Sequence, residues 1–330
     1  MTNRRPLNVS FRKGSHAEKV YRSCAGLPTR EVIAPGVQPS PAHDLQFQGG
    51  KIIADLRFQN FYIGADRWPK SDMQNIDQKL AAAMSDARLN NVMQQYFPGN
   101  ITTTFDGSHA LVGPAPAAFS QGDVEALIQQ MIQKGALPAV DFASTVLNFL
   151  LPPGTVLNDD STSPSRRESP VISGAQKSPV ADKVDSLHGL GGYHGSVHTP
   201  DKRAVYYAIG VYSQILPEGT ENGIVAFDQP WKNVVATFYH ELNEARTDAD
   251  VEDAIRAGND PNAMSFLGWI SQQGEECGDF PVFEAGSNLS EVFQEVRLTM
   301  GGGTAPVQFQ YSNAVHGPEG PVATPDKKAR

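Results

Sequence analysis

WKNVVATFYHELNEARTD, residues 231–248, has the periodicity of one amphipathic helix. Trp231, Val234, Val235, Phe238, Leu242 and Ala245 recur at the three-and-four spacing that makes a single apolar stripe. At about 100° per residue, His240, Glu244 and Thr247 fall on the opposite side, with Glu241 and Asp248 on its flank. HELNE is an HExxE motif: the His and following Glu of HExxH, with a carboxylate where the second imidazole would stand. His240 and Glu244, one turn apart, can reach a single cation, while Glu241 is placed to polarise water beside it. A solvated helix also shows a polar face of this kind, so the motif needs support from the rest of the chain.

The 330 residues carry 40% hydrophobic and 19% charged side chains, the make-up of a soluble globular protein with a large core. A net charge of −9 argues against nucleic acid as a partner. The longest apolar run, near 142–151, is too short to cross a bilayer. Cys24 and Cys277 are far apart and suggest no disulfide framework. No apolar segment follows the basic N-terminus, so the expected compartment is the cytoplasm, or the exterior if a leader has been removed.

Residues 1–48 form a basic, Pro- and Ser-rich arm with little periodicity, read as a flexible tail or as an arm that docks on a partner subunit. KIIADLRFQNFYIG (51–64) alternates as a strand pair would. Ser71 is placed to cap a helix through Met84, and a second helix runs over 87–96. The β-branched stretch 100–112 predicts a strand or hairpin. Ser120 and Asp123 make a capping box for a helix that Gly135 closes. A buried strand over 144–151 halts at Pro152-Pro153. The polar segment near 155–190 reads as a mobile surface insertion. GGYHGSVH follows, then a central strand over 204–213. After the organising helix come a short helix at 250–256, a helix at 290–298, a last strand at 307–312 and a polar tail from 314. Helices and strands mix without regular alternation, which predicts an α+β domain with a mixed sheet and one zincin-like helix over 49–313.

Taken in order, GGKII, YIGADRW, FSQGDVEALIQQMIQKGALP, GGYHGSV, AVYYAIGVYS, HELNEARTD, Trp269 with GEECGD, and QFQYSN resemble the phosphate-induced protein/exordium-like family over about residues 49–313. His240, Glu241, Glu244, Thr247 and Asp248 match its His-Glu-x-x-Glu-x-x-Thr-Asp helix. Trp269, Glu276, Gly278 and Asp279 match the Trp and Glu-x-Gly-Asp turn that follow. Family members usually carry a pair of cysteines where this chain has Gly191 and Pro281, a departure that fits a reducing compartment. The resemblance implies a metalloprotease-like helix and supplies no reaction.

The expected ion is zinc, with His240 and Glu244 as its first two ligands. The third is Asp248 one turn on, Glu276 or Asp279 from the later turn, or His194 from the end of a strand. An oxygen-only calcium site at Asp248, Asp250 and Asp253 lacks EF-hand spacing. With zinc in place, Glu241 acts as general base in metal-assisted hydrolysis, with a peptide or protein as the substrate, and His194 or Tyr193 steadies the oxyanion. His109, His188, His198 and His316 read as surface or loop residues, Glu275 as solvated, and Cys277 as a small buried hydrophobe. The rival reading is a non-catalytic protein that binds glycan, cell wall or another protein. There the His/Glu/Asp cluster is a structural network, and Thr247 and Asp248 cap the helix at 250–256.

Overall fold

Four parallel strands and one antiparallel edge strand form the sheet around which the chain is built. Their spatial order is Thr102–Leu111, Asp55–Ile63, Thr145–Leu150, Ala204–Gly210 and Gly192–His198, the last running antiparallel to its neighbour. The computed structural model describes residues 33–34, 36–158, 185–258, 260–286, 288–299 and 302–323. Residues 1–32 of the basic arm, most of the insertion expected at 155–190 and the end of the polar tail lie outside them.

Thr145–Leu150 is buried along its whole length, as a strand covered on both faces must be. Its alternation sorts two cores. Val146 and Leu150 pack with Ile76, Leu80, Val234, Val235, Phe238 and Leu242 on one face. Leu147 and Phe149 pack with Val124, Ile128 and Met131 on the other. The first face is covered by the helices Lys70–Ser85 and Pro230–Thr247, the second by Gln121–Gln133. The result is one α+β domain.

Several elements fall where local chemistry put them. Gln121–Gln133 has both bonds of the Ser120/Asp123 capping box, and Gly135 follows at φ 62°. Others differ. KIIADLRFQNFYIG holds a single strand, Asp55–Ile63, because Gln59 and Asn60 at its middle are buried inside the sheet and make no turn. Ser71 does not cap: the cap position is Pro69, which has no N–H to satisfy, and Ser71 Oγ donates to Asp72.

The helix expected at 290–298 is a strand, Phe293–Arg297, paired antiparallel with Thr304–Gln308. Phe293 and Val296 join the core beneath the central helix, and that packing overrides a spacing that suits a helix equally well. The last strand breaks at Phe309, whose N–H reaches back to Val292 O. Gln310–Ser312 then pairs with Gly317–Glu319, so ordered chain continues past 313. From Ile33 on, the arm stretch also packs: Ile33 bridges Glu319, and Gln46–Phe47 pairs with Trp269–Ile270.

Arg246, near the end of the central helix, is wholly buried. Its guanidinium donates to Asn90 Oδ1 at 3.1 Å, Thr102 O at 2.8 Å and Thr103 Oγ1 at 3.2 Å, tying the helix to the strand Thr102–Leu111. Desolvation lowers its pKa to about 10. Arg246→Ala leaves those acceptors unpaired in the interior and is expected to cost about 3 kcal/mol. A lower denaturation midpoint at unchanged slope in urea is the readout.

Candidate metal centre

Pro230–Thr247 is buried on nearly every side, including the polar side that by periodicity alone faces solvent. That side lies beneath the edge strand, the turn after Trp269 and the Phe293–Gln308 hairpin. Two glycines make the close approach possible. A Cβ on Gly278 would sit 2.4 Å from His240 Nδ1 and 2.9 Å from Glu244 Oε1. One on Gly192 would sit 2.5 Å from Ile209 O and 3.0 Å from Glu241 Oε1.

Beneath this cover the helix brings His240 Nε2 to 3.0 Å from Glu244 Oε2. The other oxygen of Glu244 accepts the Gly278 N–H at 3.0 Å. Gln308 orients the imidazole. Its Nε2 donates to Gly278 O at 2.6 Å, which turns its Oε1 toward His240 Nδ1 at 2.5 Å. Nδ1 therefore carries a proton, and Nε2 faces Glu244 at hydrogen-bond distance, where it donates a second proton that an ion would displace. From the edge strand, His194 Nδ1 lies 3.6 Å from Glu241 Oε2 and 3.8 Å from Glu244 Oε2, and its Nε2 lies 3.5 Å from Glu276 Oε1. The turn is held by Asp279, whose Oδ2 accepts the Glu276 N–H at 2.9 Å.

Two groups of side chains thus bring ligand atoms within 4.8 Å of one another: His240, Glu244 and Asp279, and His194, Glu244 and Glu276. Asp248 is in neither group. It is wholly buried, with Oδ1 accepting the Gly268 N–H at 2.7 Å and Oδ2 left without a hydrogen-bond partner. Glu276 Oε1 is likewise buried without one. Among the described residues, no Lys or Arg forms an ion pair with Glu241, Glu244, Asp248, Glu276 or Asp279; the ion pairs made by Glu241, Glu244 and Glu276 are with His194 and His240.

The protonation pattern follows from that crowding. Burial would lower the pKa of His240, but Glu244 and Glu241 outweigh it and hold the imidazole well above its ordinary value. Burial works to raise Glu244, and His240 reverses it, so this carboxyl sits low. Desolvation, and then repulsion from Glu244, pushes Glu276 far up and Asp279 to about 7. Desolvation takes Asp248 to about 7 as well, and it also raises Glu241. Imidazole nitrogens and carboxylate oxygens, two of them buried with no partner, form a donor set that suits a divalent metal ion.

His240, Glu241 and Asp279 line a cavity of about 380 Å³ whose wall also includes Ile224, Val282, Phe283 and Phe293. The other singled-out residues lie elsewhere in the network. Asp250 accepts the Tyr206 hydroxyl at 2.6 Å and Asp253 pairs with His198, so the acidic run makes no calcium cage among the described residues. Thr247 Oγ1 donates back to Asn243 O and Glu244 O, and neither it nor Asp248 caps Val251–Ala257 by side chain. Glu275 is not solvated: it accepts from His43 Nδ1 at 2.6 Å and Ser271 Oγ at 2.9 Å. Cys277 is wholly buried, and burial pushes its thiol far up. Gln308 was not foreseen as part of the site, although QFQYSN was already in view as a motif.

No family model matches the chain, nor does any curated protein, so the exordium-like resemblance stands on the quoted motifs alone. One solved structure to which it is similar is metalloproteinase-II from Bacteroides fragilis, 13% identical, with a TM-score of 0.25. The match covers 58% of this chain and 44% of that one, so this chain spans less than half the length of that protein. A likeness this slight says nothing of what this chain does. Among the described residues, no helix is long and apolar enough to cross a membrane.

Proposed function

We propose that the protein is a metal-dependent hydrolase, peptidase-like, with zinc held by His240, Glu244 and a carboxylate of the turn after Trp269. One observation carries the reading: two imidazoles and five carboxylates meet under the central helix, and among the described residues no Lys or Arg pairs with the carboxylates. Only protons or a cation can balance such a group, and its ligand atoms are spaced for a cation. Asp279 completes the set around His240.

When bound, a divalent ion supplies Lewis acidity that polarises a carbonyl and acidifies water. The chain's own groups supply the rest. Glu241 lines the cavity, and burial raises its pKa, the direction that suits a base that takes a proton from water and returns it to a leaving amine. Gln308 holds the proton on Nδ1 of His240, so that Nε2 is the nitrogen that would bind an ion once its own proton is lost. The cavity wall of Ile224, Val282, Phe283 and Phe293 favours an apolar side chain next to the bond that is cut. Phe283 stands at 81% exposure on that wall, open to contact with such a side chain.

Elemental analysis of purified protein tests the reading. Zinc near or above one equivalent, with the His240 site lost in His240→Ala, supports it. No bound metal in either protein, with folding unchanged, leaves the rival reading of a non-catalytic binding protein.

A further inference from the structure

The centre holds more ligands than one ion uses. We infer that it takes two divalent cations, the second held by His194, Glu276 and the shared carboxylate of Glu244. This rests on the hydrolase reading for the first ion, at His240, Glu244 and Asp279.

The two ligand groups share Glu244 alone, and their imidazoles come from different elements, the central helix and the edge strand. A single carboxylate between two such groups is the usual arrangement for ions roughly 3.5–4 Å apart in hydrolytic centres. His194 is 7% exposed, so it cannot turn to water for partners. Its Nε2 lies 3.4 Å from Asp248 O and 3.5 Å from Glu276 Oε1, and its Nδ1 lies 3.6 Å from Glu241 Oε2 and 3.8 Å from Glu244 Oε2; one ring nitrogen has ligand atoms of both Glu276 and Glu244 within 4.8 Å. All of these exceed the 2.7–3.2 Å of a good N–H···O bond. Two donors on one zinc, each at about 2.0–2.1 Å in a tetrahedral shell, lie about 3.4 Å apart. The imidazole and the Glu276 carboxylate are therefore spaced as co-ligands, not as a hydrogen-bonded pair.

Two further observations point the same way. Glu276 Oε1, the atom facing His194 Nε2, is buried and accepts no hydrogen bond. Asp248 is wholly buried one turn below Glu244, and its Oδ2 also lacks a partner. Charge favours the second ion. Metal binding takes its ligands deprotonated, and five carboxylates with two neutral imidazoles then give −5, which one divalent ion brings to −3 and two to −1. Among the described residues no Lys or Arg pairs with these groups, so a residual −3 would have to be met by protons.

The test is equilibrium dialysis of the full chain against zinc, with bound metal counted by mass spectrometry and folding followed by circular dichroism. The wild type should hold two ions per chain. His194→Ala and Glu276→Gln should each hold one, the remaining ion being that of His240. Glu276→Gln changes one atom of a side chain at the rim, so it carries the comparison if His194→Ala fails to fold. A wild type that saturates at one ion overturns the second position and leaves the hydrolase reading standing. Two ions that persist in both variants also overturn it, by placing the second ion elsewhere. No bound zinc at all removes both.

Discussion

Glu241→Gln is expected to keep its zinc and lose hydrolysis by 10²–10⁴-fold in kcat, the usual contribution of a positioned general base. The substitution preserves shape and removes only the ability to take a proton. Glu241 belongs to neither ligand group, so ion content should stay at the wild-type level. Among the described residues its side chain makes no hydrogen bond, its oxygen lying 3.6 Å from His194 Nδ1, so the fold loses little with its charge. The measurement is turnover of fluorogenic peptides with an apolar residue beside the scissile bond, read together with metal content on the same preparation. Unchanged turnover in the variant would remove Glu241 from the reaction.

Zinc should also reverse the way stability depends on pH. In protein stripped of metal by a chelator, Asp248, wholly buried, keeps its proton up to about pH 7, whereas the unfolded chain gives it up near 3.8. Asp279 is shifted the same way, with solvent screening reducing its share. Between those values the folded state binds more protons, and its stability falls as pH rises, by about 1.4 kcal/mol per pH unit for each extra proton held. His240 has the same sign. Its folded pKa is raised, so its contribution is complete below about 6.5 and is lost as pH climbs through the folded value. Glu244 has the opposite sign, but its pKa is depressed, and its window lies below 4.5. The stripped protein should therefore melt at progressively lower temperature from pH 5 to pH 8. Bound zinc needs its ligands deprotonated, so the melting point of the loaded protein should hold or rise over the same range. A stripped protein that gains stability from pH 5 to pH 8 would contradict the protonation pattern of the centre.

The sequence showed most clearly what is settled locally. The central helix was expected over 231–248 and runs Pro230–Thr247, because its apolar stripe spans about four turns and Pro230 suits the first one. The Ser120 capping box and the buried strand before Pro152 are local in the same way. Phe293–Arg297 was not legible, since Val292 and Val296 satisfy a helical repeat as well as a strand covered on one face. The burial of His240 and Glu244 was hidden for a different reason. A polar helix face reads the same whether water or other polar groups cover it, and the covering groups here come from chain far away. For that reason the third ligand stayed open among Asp248, Glu276, Asp279 and His194. Gln308 escaped because an amide on a strand carries no signal until the imidazole it orients is seen beside it.

The hydrogen bonds of Gln308 reach beyond the tautomer they select. One amide side chain grips the central helix through His240 and the turn through Gly278 at once. His194 arrives from a third segment and Gln308 itself from a fourth, far along the chain. No short peptide can reproduce such a centre, and a chain still emerging from the ribosome would have no grip on an ion until the hairpin had closed. Ion capture would then mark the completion of folding.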